Sequence, residues 1–136
     1  LKIRVKYLKN NIKYPKRFSW LKDFVESTDD LVPLYKLKRI NAYKVKVGKN
    51  SLVYGSLTKR DGVFNINLNM WDMNPSTKRH CLARLSIVLE TLAHELAHMI
   101  HWEHDYKHFK LTALILLRFS AIIKKMKIKD ISARIK

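Results

Sequence analysis

With a single cysteine, Cys81, in 136 residues, the chain has no internal disulfide to staple it. A hydrophobic core must hold the fold, and a reducing, cytoplasmic setting is expected. Glycine and proline are scarce, three of each, which argues against a long flexible linker or a low-complexity segment. Long apolar runs are missing too. The longest, residues 111–123, is interrupted by Arg118 and falls short of the roughly 20 residues that span a bilayer, so no transmembrane segment is expected. The first seven residues alternate basic and apolar side chains, without the continuous apolar stretch of a signal peptide.

Acidic residues are also few, 11 against 28 lysines and arginines, for a formal charge of +17. The excess is uneven. Basic and acidic residues number 13 and 4 over residues 1–47, 6 and 5 over 48–104, and 9 and 2 over 105–136. Basic flanks thus enclose a near-neutral middle. Such flanks attract a polyanion, nucleic acid or an anionic membrane surface, through a salt-sensitive and sequence-independent force; solubility alone is the plainer reading. The length suits one domain, and an apolar share of 47% with 10% aromatics suffices for a core. One domain over 1–136 is expected.

Periodicity places the elements. Residues 1–7 read as extended, and Phe18, Leu21, Phe24 and Val25 fall at helical spacing within a helix over 17–27 that Asp29, Asp30 and Pro33 end. Residues 40–47 alternate as a strand does. Residues 52–58 and 63–69 form a hairpin across Lys59-Arg60-Asp61-Gly62, since Asp-Gly favours the tight turns of hairpins. Asn74-Pro75 reads as an N-cap followed by proline in the first turn, so a long helix is expected from there, burying Leu82, Leu85, Val88, Leu89, Leu92 and Leu96. A second helix is expected over 105–125, with Phe109, Ala113, Leu116, Leu117 and Ile123 for packing.

The chemistry lies in His94-Glu95-Leu96-Ala97-His98. Residues four apart on a helix stand one turn apart and about 40° apart in azimuth, so both imidazoles can face one ion. Zinc (Zn2+) accepts neutral imidazole nitrogen and leaves a position for water, and Glu95 beside the pair can take a proton from water as it attacks a carbonyl. This is the HExxH arrangement of metallopeptidases. His101, His104 and His108 follow. His101 would lie roughly 10 Å further along a continuing helix than His94. If the helix ends near Trp102, His104 folds back as the third ligand, with His108 as the alternative.

His94 to His98, then five residues, then His104-Asp105-Tyr106-Lys107-His108-Phe109 resembles the HExxH…H(G/D)xxF/W pattern of the SprT-like and Wss-like (WLM) zinc metallopeptidases. The likeness covers residues 52–110. Asp105 stands where SprT proteins commonly have glycine, which matches the Wss-like variant better, and the chain has no cysteine pair for a zinc ribbon. YgjP-like metallopeptidases have similar spacing. The resemblance implies His94, His98 and His104 as zinc ligands, Glu95 as general base, and Phe109 as a packing anchor for the turn. It also implies an α+β, zincin-like domain in which a small antiparallel sheet packs on the active-site helix. The substrate class it implies is protein crosslinked to DNA, with a nucleoid-associated location.

Other residues carry two readings. Asp105 either caps the next helix or orients a ligand imidazole. Tyr106, His101 and His108 are solvated or packing residues, or else oxyanion donors. Trp20, Trp71 and Trp102 are core or rim residues, or else base-stacking platforms. The strand over 63–69 either pairs with an extended substrate or lies inside the sheet. Two other functions compete with the peptidase acting on DNA-bound proteins. One is a nucleic-acid-binding module with structural zinc or a latent protease; the other is a general peptidase indifferent to DNA.

Overall fold

The computed structural model describes residues 5–7, 20–43, 54–69, 71–73, 76–77, 80–82 and 85–125. The expectations for residues 1–4, 17–19, 44–47, 52–53 and 74–75, and for the basic end beyond 125, lie outside them. In chain order the elements are β1 (Val5–Tyr7), α1 (Trp20–Glu26), β2 (Leu37–Tyr43), β3 (Gly55–Arg60), β4 (Val63–Asn69), β5 (Trp71–Met73), β6 (His80–Leu82), α2 (Leu85–His98) and α3 (Tyr106–Lys125). A single 3-10 turn, Leu34–Lys36, leads into β2.

The main sheet has the order β1-β2-β4-β3. Its pairing differs from the antiparallel sheet expected: β1–β2 and β2–β4 run parallel, and only the β3–β4 hairpin is antiparallel. Hairpin chemistry is local and readable, whereas the parallel pairs join strands far apart in sequence. The hairpin turns on Asp61 and Gly62, both at positive φ, 53° and 78°, as a two-residue primed turn requires. In β4, Phe64, Ile66 and Leu68 are buried while Asn65 and Asn67 are half-exposed, and Asn67 Nδ2 donates to Ser56 Oγ across the hairpin at 3.2 Å. β4 has a partner on each side, so pairing with a substrate strand is ruled out there. Among the described residues β1 and β3 are the two edges of this sheet.

The long helix begins later than expected. Residues 71–73 and 80–82 pair as a small antiparallel sheet, with Leu82 in β6, and α2 starts at Leu85. A strand pair formed across an intervening loop overrides the cap signal, which is only a local preference. From Val88 onward the expected face holds: Val88, Leu89, Leu92 and Leu96 are at most 4% exposed.

The hydrophobic cluster draws on every layer: Leu21, Phe24 and Val25 from α1, Ile40 from β2, Ile66 and Leu68 from β4, Leu92 and Leu96 from α2, Ile115 and Phe119 from α3. Burying each such side chain is worth about 1.5–3 kcal/mol. Phe24 and Phe119 meet edge to face, centroids 5.2 Å apart. After α1 the chain turns back, with the Ser27 and Thr28 hydroxyls donating to the carbonyls of Phe24 and Val25. Arg118 ties α3 to that turn, donating to Ser27 O and, through two nitrogens, to the Asp30 carboxylate.

The packing face of α3 is rotated from the expected one. His108, Leu111, Ile115 and Phe119 point inward, Leu116 and Ile123 are half-buried, and Ala113 and Leu117 are exposed. Phe109 is 69% exposed and anchors nothing. Helix α3 is apolar over more than half its circumference, so periodicity alone did not select the face.

Candidate metal centre

Helix α2 delivers His94, Glu95 and His98 from its last turns, and the chain then leaves the helix through short-range bonds: Met99 N to Leu96 O, Ile100 N to Ala97 O and His101 N to Ala97 O. The helix therefore ends before Trp102, as the third-ligand argument needs. Asp105 caps α3, its Oδ1 accepting from His108 N at 2.9 Å, which holds its carboxyl below the usual range. Of its two readings, the structure shows the cap.

Between these ends His104 folds back. Its Nε2 lies 3.1 Å from His94 Nε2 and 3.0 Å from His98 Nε2, and the latter two are 3.0 Å apart. Three nitrogens converge on one point. Ligands about 2.05 Å from a tetrahedral zinc stand about 3.3 Å from one another, so the triangle is close to what such an ion requires. Burial, with its histidine neighbours, depresses His94 to about 4, and burial also lowers His98. Neutral rings offer lone pairs to a cation. His98 Nδ1 lies 3.0 Å from the His101 carbonyl oxygen, so the proton sits on Nδ1 and Nε2 is left as the donor atom.

His108 is also near: one nitrogen each from His94, His98 and His108 falls within 4.8 Å of the others. This set competes with the set containing His104. In the tighter triangle the three Nε2 atoms face one another, whereas His108 Nε2 lies 3.0 Å from the His94 carbonyl oxygen, to which it donates. The His108 ring stacks on His98, centroids 4.0 Å apart, and stands edge-on to His94 at 4.5 Å. It is 4% exposed and fills the place the resemblance gave to Phe109. Counted strictly, the aromatic of H(G/D)xxF falls four residues after His104, at His108.

Glu95 is 6% exposed. Burial pushes its carboxyl up to about 7, and its Oε1 lies 3.9 Å from His94 Nε2. Glu95 and the three converging histidines line a cavity of about 380 Å³ with Gly55 and Leu57 from β3 and Trp102 from the turn. A side chain at Gly55 would meet Thr91 Cγ2 of α2 at 2.5 Å and Asn67 O at 2.9 Å, so glycine lets the edge strand lie against the helix. Nothing in the sequence marked that role, nor that of the His101 carbonyl. Tyr106 is exposed, and neither it, His101 nor His108 lines the cavity. Trp102 is a rim residue, 55% exposed; the side chains of Trp20 and Trp71 lie outside the described ones.

The class so defined is a small α+β protein with a histidine cluster that can hold a metal ion beside a buried glutamate. No protein-family model matches the sequence, and none of the curated proteins does. Two solved structures share the fold. The crystal structure of Wss1 from Saccharomyces cerevisiae aligns with a TM-score of 0.59 at 15% identity, over 90% of this chain and 91% of that one. A Wss1 mutant from the same yeast aligns at 0.58 and 14%, over 90% and 93%. At such identity the likeness is one of fold. Among the described residues no helix is long and apolar enough to cross a membrane.

Proposed function

We propose that this protein is a zinc-dependent endopeptidase in which His94, His98 and His104 hold the metal and Glu95 is the general base. The observation that carries this is the convergence of three Nε2 atoms within 3.1 Å of one another, beside a carboxyl held at about 7. When bound, zinc supplies Lewis acidity, acidifying water and polarising the peptide carbonyl. The chain's own residues do the rest. Glu95, buried beside the histidines, accepts a proton at its carboxylate from the attacking water and returns it to the leaving amine. His101, through its carbonyl, keeps His98 in one tautomer, and His108 fixes the carbonyl of His94. Strand β3, an edge strand among the described residues, borders the cavity and offers backbone groups to an extended peptide.

The substrate class proposed is protein bound or crosslinked to DNA. Its support is the resemblance to the Wss-like pattern, the shared fold, and the +17 charge carried mainly outside the near-neutral segment 48–104. The Glu95→Gln variant is expected to retain zinc and lose hydrolysis; undiminished cleavage would overturn the mechanism. Adding duplex DNA at moderate salt should accelerate cleavage of a DNA-binding protein. No change in cleavage or binding would favour a general peptidase. A nucleic-acid-binding module with structural zinc has one observation in its favour, the nearness of His108. A fourth protein ligand found by X-ray absorption of the zinc-loaded protein would decide for it.

A further inference from the structure

Beside the metal cavity lies a second one, of about 500 Å³, which the proton chemistry does not use. The two share Leu57, His98 and Trp102, so they adjoin. The floor of the second is apolar and buried, with Phe64 and Met99 at 4% and 7% exposure. Its rim holds Ile100 and Trp102, which are 46% and 55% exposed. Both sit on the short turn after α2 and lie outside the buried cluster. Among the described residues of the lining Lys59 is the one fully charged side chain, its Nζ 5.5 Å from the Phe64 ring centroid, and none is acidic.

We infer that this second cavity is a substrate subsite for a large aliphatic or aromatic side chain, and that it makes the protein selective for apolar segments of its protein substrate. The inference deepens the peptidase reading and rests on it. Strand β3 runs from Gly55, beside the metal cavity, to Lys59, beside the second one. At about 3.3 Å per residue, a peptide laid along that edge reaches the second cavity within about three residues of the cleaved bond. Alternation of side chains in an extended peptide then directs one of them into the cavity. An apolar side chain gains by burial against Phe64, Met99 and Ile100. A basic one meets Lys59 and, among the described lining residues, no carboxylate.

The test uses short blocked peptides, otherwise of glycine, alanine and serine, that carry Leu, Phe, Ser or Lys at one position at a time. Their affinities are measured on the zinc-loaded Glu95→Gln variant, and cleavage by the wild type locates the bond. Leu or Phe at one position should bind about tenfold or more tightly than Ser, with Lys no better than Ser. In Ile100→Asp that preference should fall and shift toward Lys, a change of specificity that misfolding does not produce. Equal affinities at every position, or no binding of any peptide, would overturn the subsite. A retained apolar preference without cleavage by the wild type would refute the peptidase reading and leave the subsite standing.

Discussion

Glu95 is costly to the metal-free protein, and Glu95→Gln should therefore stabilise it at alkaline pH. Burial raises the carboxyl from 4.5 to about 7, and each tenfold change in acidity is worth about 1.4 kcal/mol. The ceiling is thus about 3 kcal/mol, and the side chain's contact with the open cavity reduces it to about 1–2 kcal/mol. The sign follows from proton binding. Below pH 4.5 the carboxyl is protonated whether the chain is folded or not, and costs nothing. Between 4.5 and about 7 the folded state holds the extra proton, so stability falls as pH rises, and above that range the loss is complete. His94, depressed to about 4 by burial and neighbouring histidines, has the opposite effect. Its contribution is present above 6.5 and lost as pH falls toward 4. Urea unfolding of zinc-free wild type and variant from pH 4 to 9 separates the two. The variant should keep the rise due to His94, and should exceed the wild type by about 1–2 kcal/mol at pH 8. Equal stability at pH 8, with identical pH profiles, would refute the burial argument. Saturating zinc should shrink the difference, because the cation stabilises the Glu95 charge.

The ligand set is separable by metal analysis: His104→Ala should lose stoichiometric zinc, whereas His108→Phe should retain it with affinity weakened about 10- to 100-fold, as for a residue that only orients a ligand. Zinc lost from His108→Phe and kept by His104→Ala would reverse the assignment. Gly55→Ala forces β3 away from Thr91 and Asn67, and is expected to lower peptidase activity more than zinc content, read by parallel turnover and metal assays. Phe119→Ala removes the ring packed on Phe24 at 1% exposure and should cost about 3–5 kcal/mol in denaturant unfolding.

Much of the hairpin, α1 and α3 was legible because each rests on local chemistry: Asp61-Gly62 at positive φ, Leu21, Phe24 and Val25 at helical spacing, and Asp105 at the cap. The start of α2 was not, since β5 and β6 pair across a loop and displace the helix that Asn74-Pro75 suggested. Phe109 misled for another reason. Two apolar faces run along α3, and only contact with α2 and α1 selects the one bearing His108, Leu111, Ile115 and Phe119.

By itself the sequence determined which groups are available for chemistry: two imidazoles one turn apart, a carboxylate beside them, and a third histidine beyond a helix end, because helix geometry converts spacing into direction. Tertiary structure alone decided which of His104 and His108 completes the nitrogen triangle. It also buried Glu95 enough to bring its acidity near neutral, and laid β3 against the site to form a groove. Those outcomes depend on desolvation and on contacts between distant segments, which spacing along one helix does not encode.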